Sequence, residues 1–265
     1  MPVPPRQTVK AAGKRRAQSA SSALAREIVS RFESRRSPEQ AAHLGRFFKT
    51  GPGQYGEGDC FLGLKVPATR SLIKPYSERL SLDDCGALLE SGWHEIRLAA
   101  LMVLGWRSEA LARAGDQAGL RKLVSLYDQR LERANNWDLV DLSACEIMEP
   151  YWRCLAPPAQ EIRRFLAAWA DSGNLWRERA AMVSTHARQR QGSLAETFWL
   201  AERFLDHPHD LMHKACGWML REAGKRDLAA LRSFLAAFHQ RLPRTTLRYA
   251  IERLDEKERQ RWLKK

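Results

Sequence analysis

Arg97-Leu98-Ala99-Ala100-Leu101 is echoed three times further along the chain, in Leu142-Ser143-Ala144-Cys145, Arg179-Ala180-Ala181-Met182 and His213-Lys214-Ala215-Cys216. Setting Ala100, Ala144, Ala181 and Ala215 as equivalents gives spacings of 44, 37 and 34 residues. A period of that length marks a repeat built from paired helices, in which small residues let neighbouring pairs approach closely. From about Ala23 onward apolar residues recur at helical spacing and no stretch sustains the alternation of a strand, so the body reads as all-α. An irregular helical bundle is the alternative that so faint an echo leaves open.

The punctuation agrees with helices. Ser81 with Asp84, and Ser193 with Glu196, resemble capping boxes that satisfy first-turn N–H groups, and Gly92, Gly173, Pro208 and Pro243 read as stops. Thr50-Gly51-Pro52-Gly53-Gln54-Tyr55-Gly56-Glu57-Gly58-Asp59 is too rich in glycine for a helix and reads as a loop, of a length that is more often functional than decorative. The period is that of HEAT-type hairpins. It predicts one HEAT-like α-solenoid domain over residues 23–265, curved, with a basic concave face suited to a cylindrical polyanion.

Charge points the same way. Of the formal +13, residues 1–36 hold +7, nine Lys and Arg against Glu27 and Glu33. The rest of the chain is still basic, and each phosphate neutralised by Lys or Arg adds affinity through counterion release, so nucleic acid is the leading partner and an acidic membrane surface the weaker one. Residues 1–22, with Pro, Ala, Ser and basic side chains but no periodicity, read as a disordered basic arm. Five cysteines without CxxC pairing argue against a disulfide framework and against metal ligation, and suit a reducing cytoplasm. No apolar run approaches membrane-spanning length and no apolar core of a signal peptide follows the N-terminal basic residues, which predicts a soluble protein that is not exported.

Asn135-Asn136-Trp137-Asp138-Leu139-Val140-Asp141 reads as a helix start with an Asn cap, which stacks Trp137 and Asp141 on one face at i and i+4. Asn174-Leu175-Trp176-Arg177-Glu178-Arg179 opens another helix, and Gly217-Trp218-Met219-Leu220-Arg221-Glu222 lies in a third. Repeat stacking would bring these three segments side by side. Taken in order, they resemble the AlkD-type DNA alkylation-repair glycosylases, as do Phe47-Phe48-Lys49-Thr50-Gly51 and Phe61-Leu62-Gly63-Leu64-Lys65-Val66-Pro67, over about residues 40–255.

The resemblance implies a HEAT-like solenoid that acts as a monomer on alkylated double-stranded DNA. It implies excision of N3- and N7-alkylpurines without drawing the base into a pocket, and with no metal, cofactor or obligate protein partner. By the match, Asp141 is the catalytic carboxylate, Trp137 and Trp218 the aromatic pair against the deoxyribose, and Arg179 the arginine holding the backbone nearby. Where other members carry a Tyr, the chain has Phe47, followed by the inserted glycine-rich loop with Tyr55. Phe47, Lys49, Tyr55, Arg177, Lys214, Arg244 and Arg248 are the candidate DNA contacts.

The chemistry of the residues supports this reading independently. A cationic alkylpurine leaves as a neutral base and needs little general-acid help, while positive charge develops on the sugar. A carboxylate and two electron-rich indole faces suit that developing charge. Each residue also has a plainer role: Trp137 and Trp218 as core, Asp141 as the structural partner of Arg179, Asp138 as a first-turn residue complementing the helix dipole, Arg244 and Arg248 as a solvated face. The competing functions are a non-catalytic nucleic-acid-binding scaffold and a protein-interaction solenoid.

Overall fold

The computed structural model describes residues 22–264, so the expected basic arm lies, up to residue 21, outside the described residues. Ser22 caps the first helix, accepting a hydrogen bond from Ala25 N at 3.0 Å. Helices α1 (Ala23–Glu33), α2 (Pro38–Gly45) and α3 (Val66–Ile73) precede a run of paired helices. The pairs are α4 (Leu82–Leu89) with α5 (His94–Arg113), α6 (Gln117–Arg130) with α7 (Trp137–Leu155), α8 (Ala159–Ala170) with α9 (Leu175–Arg190), and α10 (Ala195–Arg203) with α11 (Asp210–Arg226). After them come α12 (Leu228–Phe238), α13 (Arg244–Ala250) and α14 (Glu256–Leu263). No strand occurs among the described residues; an isolated bridge joins Cys60 to Trp93.

The long second helices form a row in which α5 packs on α7, α7 on α9 and α9 on α11, and the short α13 continues it against α11. Each shorter helix packs on the long helix that follows it, and α12 on α11. Ala100, Ala144, Ala181 and Ala215 fall in α5, α7, α9 and α11 and are all fully buried, as a repeat of closely packed pairs requires. The apolar run around Leu98–Trp106 has no amphipathic stripe because α5 is buried through most of its length.

Small residues set the spacing at the far end of the row as well. A Cβ on Gly217 of α11 would lie 2.5 Å from the Tyr249 Cβ and 2.6 Å from the Thr246 carbonyl oxygen of α13. A substitution there must push two backbones apart. Gly217→Ala is expected to cost about 1–3 kcal/mol, the usual cost of overpacking, read as a lower denaturant midpoint with an unchanged slope.

The Ser81 capping box is present: Asp84 N donates to the hydroxyl at 3.0 Å and Ser81 N to the carboxylate at 2.8 Å. The one expected at Ser193 is not. Helix α10 starts two residues later, because Ser193 N already donates to the Arg188 carbonyl and Glu196 is drawn to the Ser193 hydroxyl at 2.6 Å and towards Arg188. The glycine-rich segment is non-helical, and Gly173, at φ +67°, follows the end of α8.

Candidate active site

Helix α7 begins where its cap can be made. Asn136 is fully buried and its side-chain oxygen accepts the Trp137 N–H at 2.9 Å, so Trp137 is the first helical residue and Asp141 lies one turn on. From the neighbouring helix α9, Arg179 grips the Asp141 carboxylate with both prongs, Nε to Oδ1 at 2.9 Å and Nη2 to Oδ2 at 2.8 Å. Its Nη1 donates to the Leu211 carbonyl in the first turn of α11. One guanidinium thus ties together three successive long helices near their N-terminal ends.

Asp141, Trp137, Arg179 and Trp218 line one cavity of about 800 Å³. The Asp141 side chain keeps 18% exposure there, against 5% for Arg179. Burial pushes the Asp141 carboxyl above its ordinary value, against the pull of Arg179. Each carboxylate oxygen spends one lone pair on the guanidinium and retains another. Trp137 is half-buried with its ring 5.6 Å from Phe48, and Trp218 is half-buried on α11.

Of the expected DNA contacts, Phe47, Lys49, Tyr55 and Lys214 line the same cavity. Phe47 is 63% exposed, the largest exposure of any bulky apolar side chain among the described residues. Tyr55 reaches in from the glycine-rich loop, resting edge-on against Trp176 and His209. Arg46 also lines it, and among the described residues neither Arg46 nor Lys49 has a carboxylate partner. Arg177, Arg244 and Arg248 lie elsewhere: Arg177 binds Asp128 at 2.8 Å, bracing α9 against α6, Arg244 donates to the Leu263 carbonyl at 2.7 Å, and Arg248 is exposed on α13.

Two buried charges close to the site escaped the sequence reading. Glu95, 2% exposed, accepts the backbone N–H groups of Leu62, Gly63 and Leu64 at 2.8, 2.8 and 3.1 Å. Gly63 sits there at φ +90°, where a Cβ would stand 2.3 Å from the Ser37 carbonyl oxygen. His94 lies between Asp59 and Asp138, so Asp138 is a partner of α5, and through His94 is linked to the loop, as well as a first-turn residue. The available signal was the cluster His94-Glu95 with Arg97 just before the apolar run from Leu98 to Trp106.

A comparison with curated proteins gives no match. Among solved structures, a protein described as a predicted DNA alkylation repair enzyme from Enterococcus faecalis is similar, with a TM-score of 0.65 at 15% identity over 84% of this chain and 98% of that one. At that identity the likeness speaks for the fold. The family model described as DNA alkylation repair enzyme matches residues 28–254, a stretch that takes in every helix from α2 to α13 and Trp137, Asp141, Arg179 and Trp218, and the chain therefore belongs to the AlkD-like DNA alkylation repair enzyme family.

Proposed function

We propose that this protein is a DNA glycosylase that excises cationic N3- and N7-alkylated purines from duplex DNA. The observation that carries the reading is the Asp141 carboxylate, partly open to a cavity whose walls hold Trp137 and Trp218 and whose margin carries Arg46 and Lys49, which have no carboxylate partner among the described residues. Arg46 and Lys49 would meet phosphates, joined by Lys214 where a phosphate displaces its partner Asp210, 2.9 Å away, and Phe47 and Tyr55 would lie against the sugar or base edges. Such contacts make affinity fall steeply with salt.

In this mechanism the alkylated purine departs with the glycosidic electrons and becomes neutral, so no acid need protonate it. The sugar is left as an oxocarbenium-like cation, which the carboxylate stabilises by charge and the indole faces by a further ~0.5–2 kcal/mol. The free lone pairs of Asp141 can also accept from the water that attacks C1′, and Arg179 holds the carboxylate in place for both tasks. Neutral lesions with poor leaving groups gain little from this arrangement.

The test is free base released from duplexes containing a 7-methylpurine, set beside duplexes with neutral lesions. Release confined to the cationic lesions is expected; tight binding with no release would leave a scaffold that recognises duplex shape. The reaction also needs Asp141 ionised. Because burial raises its pKa, excision is expected to fall with decreasing pH at a point above the ordinary value of 3.8, measured as single-turnover rate against pH.

A further inference from the structure

The glycine-rich loop and the start of α7 are joined through one buried ion cluster. His94, the first residue of α5, is 3% exposed, with Nδ1 2.9 Å from Asp59 Oδ2 and Nε2 2.8 Å from Asp138 Oδ2. Asp59 is the last residue of the loop and Asp138 the second of α7. A carboxylate can only accept, so both ring nitrogens donate and the ring is an imidazolium. Arg97, one turn further along α5, holds the other Asp59 oxygen. Two cations therefore balance two carboxylates.

Asn136 links this cluster directly to the site. Its Nδ2 donates to Asp59 at 3.1 Å while its Oδ1 caps the Trp137 N–H at 2.9 Å. A ring stack runs alongside: Phe61 lies 4.8 Å from His94, and Phe48 lies 5.2 Å from His94 and 5.6 Å from Trp137. None of Asp59, His94 and Asp138 lines the cavity, so whatever they do there they do through others.

We propose that His94 is a positioning residue for the repair reaction: by clamping Asp59 of the loop and Asp138 of α7 at once, it fixes the Trp137 ring and the loop that carries Tyr55. The inference rests on the glycosylase reading of the cavity. The cluster keeps its imidazolium protonated well above the ordinary pH range. Burial alone would lower the His94 pKa, but hydrogen bonds and charge from Asp138 and Asp59 raise it to about 9. Arg97 faces Asp59 directly, and Arg133 with Glu90 flanks the cluster from outside. The unfolded chain holds this proton only to about 6.5, so the stability the proton contributes is fully present below that pH and is lost as the pH rises through about 9, where the folded clamp itself deprotonates.

The experiment measures single-turnover release of 7-methylguanine and duplex Kd from about pH 6 to about pH 10, for the wild type, His94→Gln and Asp138→Asn, a span that brackets the His94 titration. Trp137 emission, isolated by difference from Trp137→Phe, is followed in the same proteins without DNA. His94→Gln is expected to slow release by about tenfold to a hundredfold, as small misplacements do, with Kd within about twofold. Wild-type release and Trp137 emission should share an alkaline limb near pH 9. In Asp138→Asn that limb should move to lower pH, since one of the two carboxylates holding the proton is gone. Asp138→Asn keeps both cations and serves where His94→Gln does not fold. Normal release by the wild type with an unchanged rate in His94→Gln, or a limb that stays put in Asp138→Asn, overturns the role of His94 alone. No release by the wild type overturns the glycosylase reading and with it the reaction that His94 would serve.

Discussion

Asp141→Asn is expected to slow base release at least tenfold while duplex affinity stays within about twofold, because the substitution keeps size and one acceptor but removes the charge. A unit charge about 4 Å from the developing sugar cation, at an effective dielectric near 20, is worth at most about 4 kcal/mol, or about a thousandfold in rate. The two-pronged grip of Arg179 offsets part of that field, which places the expected loss between these bounds. Asn retains one oxygen for the guanidinium, so the fold should survive. Single-turnover release under saturating protein, with Kd measured separately, decides the matter. Equal rates for the variant and the wild type would remove Asp141 from the reaction.

Arg179→Ala should do more harm, and to the fold first. Removal of the side chain strands a carboxylate in a site where burial already raises its pKa, and it takes away the side-chain donor that ties the Leu211 carbonyl to α9. Breaking a buried pair in this way costs about 3–5 kcal/mol. The denaturant midpoint should drop accordingly. Base release should fall too, since an unpaired Asp141 takes up a proton more readily and loses the charge it contributes. Lys is no substitute, because an ammonium cannot supply the fork that grips both carboxylate oxygens and a third acceptor. A full-strength midpoint in Arg179→Ala would mean that the pair is incidental to the packing of α7, α9 and α11.

The paired-helix architecture was legible because its signal is periodic. Four small residues at repeat spacing, set in helical patterns with caps and stops between them, all proved to lie in one row of packed helices. Trp137, Asp141, Arg179 and Trp218 were legible through resemblance, and repeat stacking explained how segments far apart in sequence could share a cavity. What could not be read were contacts chosen by the tertiary structure. Asp59 and His94 are 35 residues apart, and His94 and Asp138 are 44, so no local pattern joins them. Arg177, expected as a DNA contact, lies outside the cavity for the complementary reason: two positions before Arg179 on a helix points a side chain to another face, and there Asp128 holds it.

The row of long helices also governs how damage to the chain would spread. Each helix leans chiefly on the one before and the one after, so cohesion passes along the row link by link rather than radiating from a single centre. Arg179 fastens α7, α9 and α11, which lie inside that row with α5 and α13 beyond them. Fraying that begins at either terminus must therefore peel away an outer link before it reaches the carboxylate.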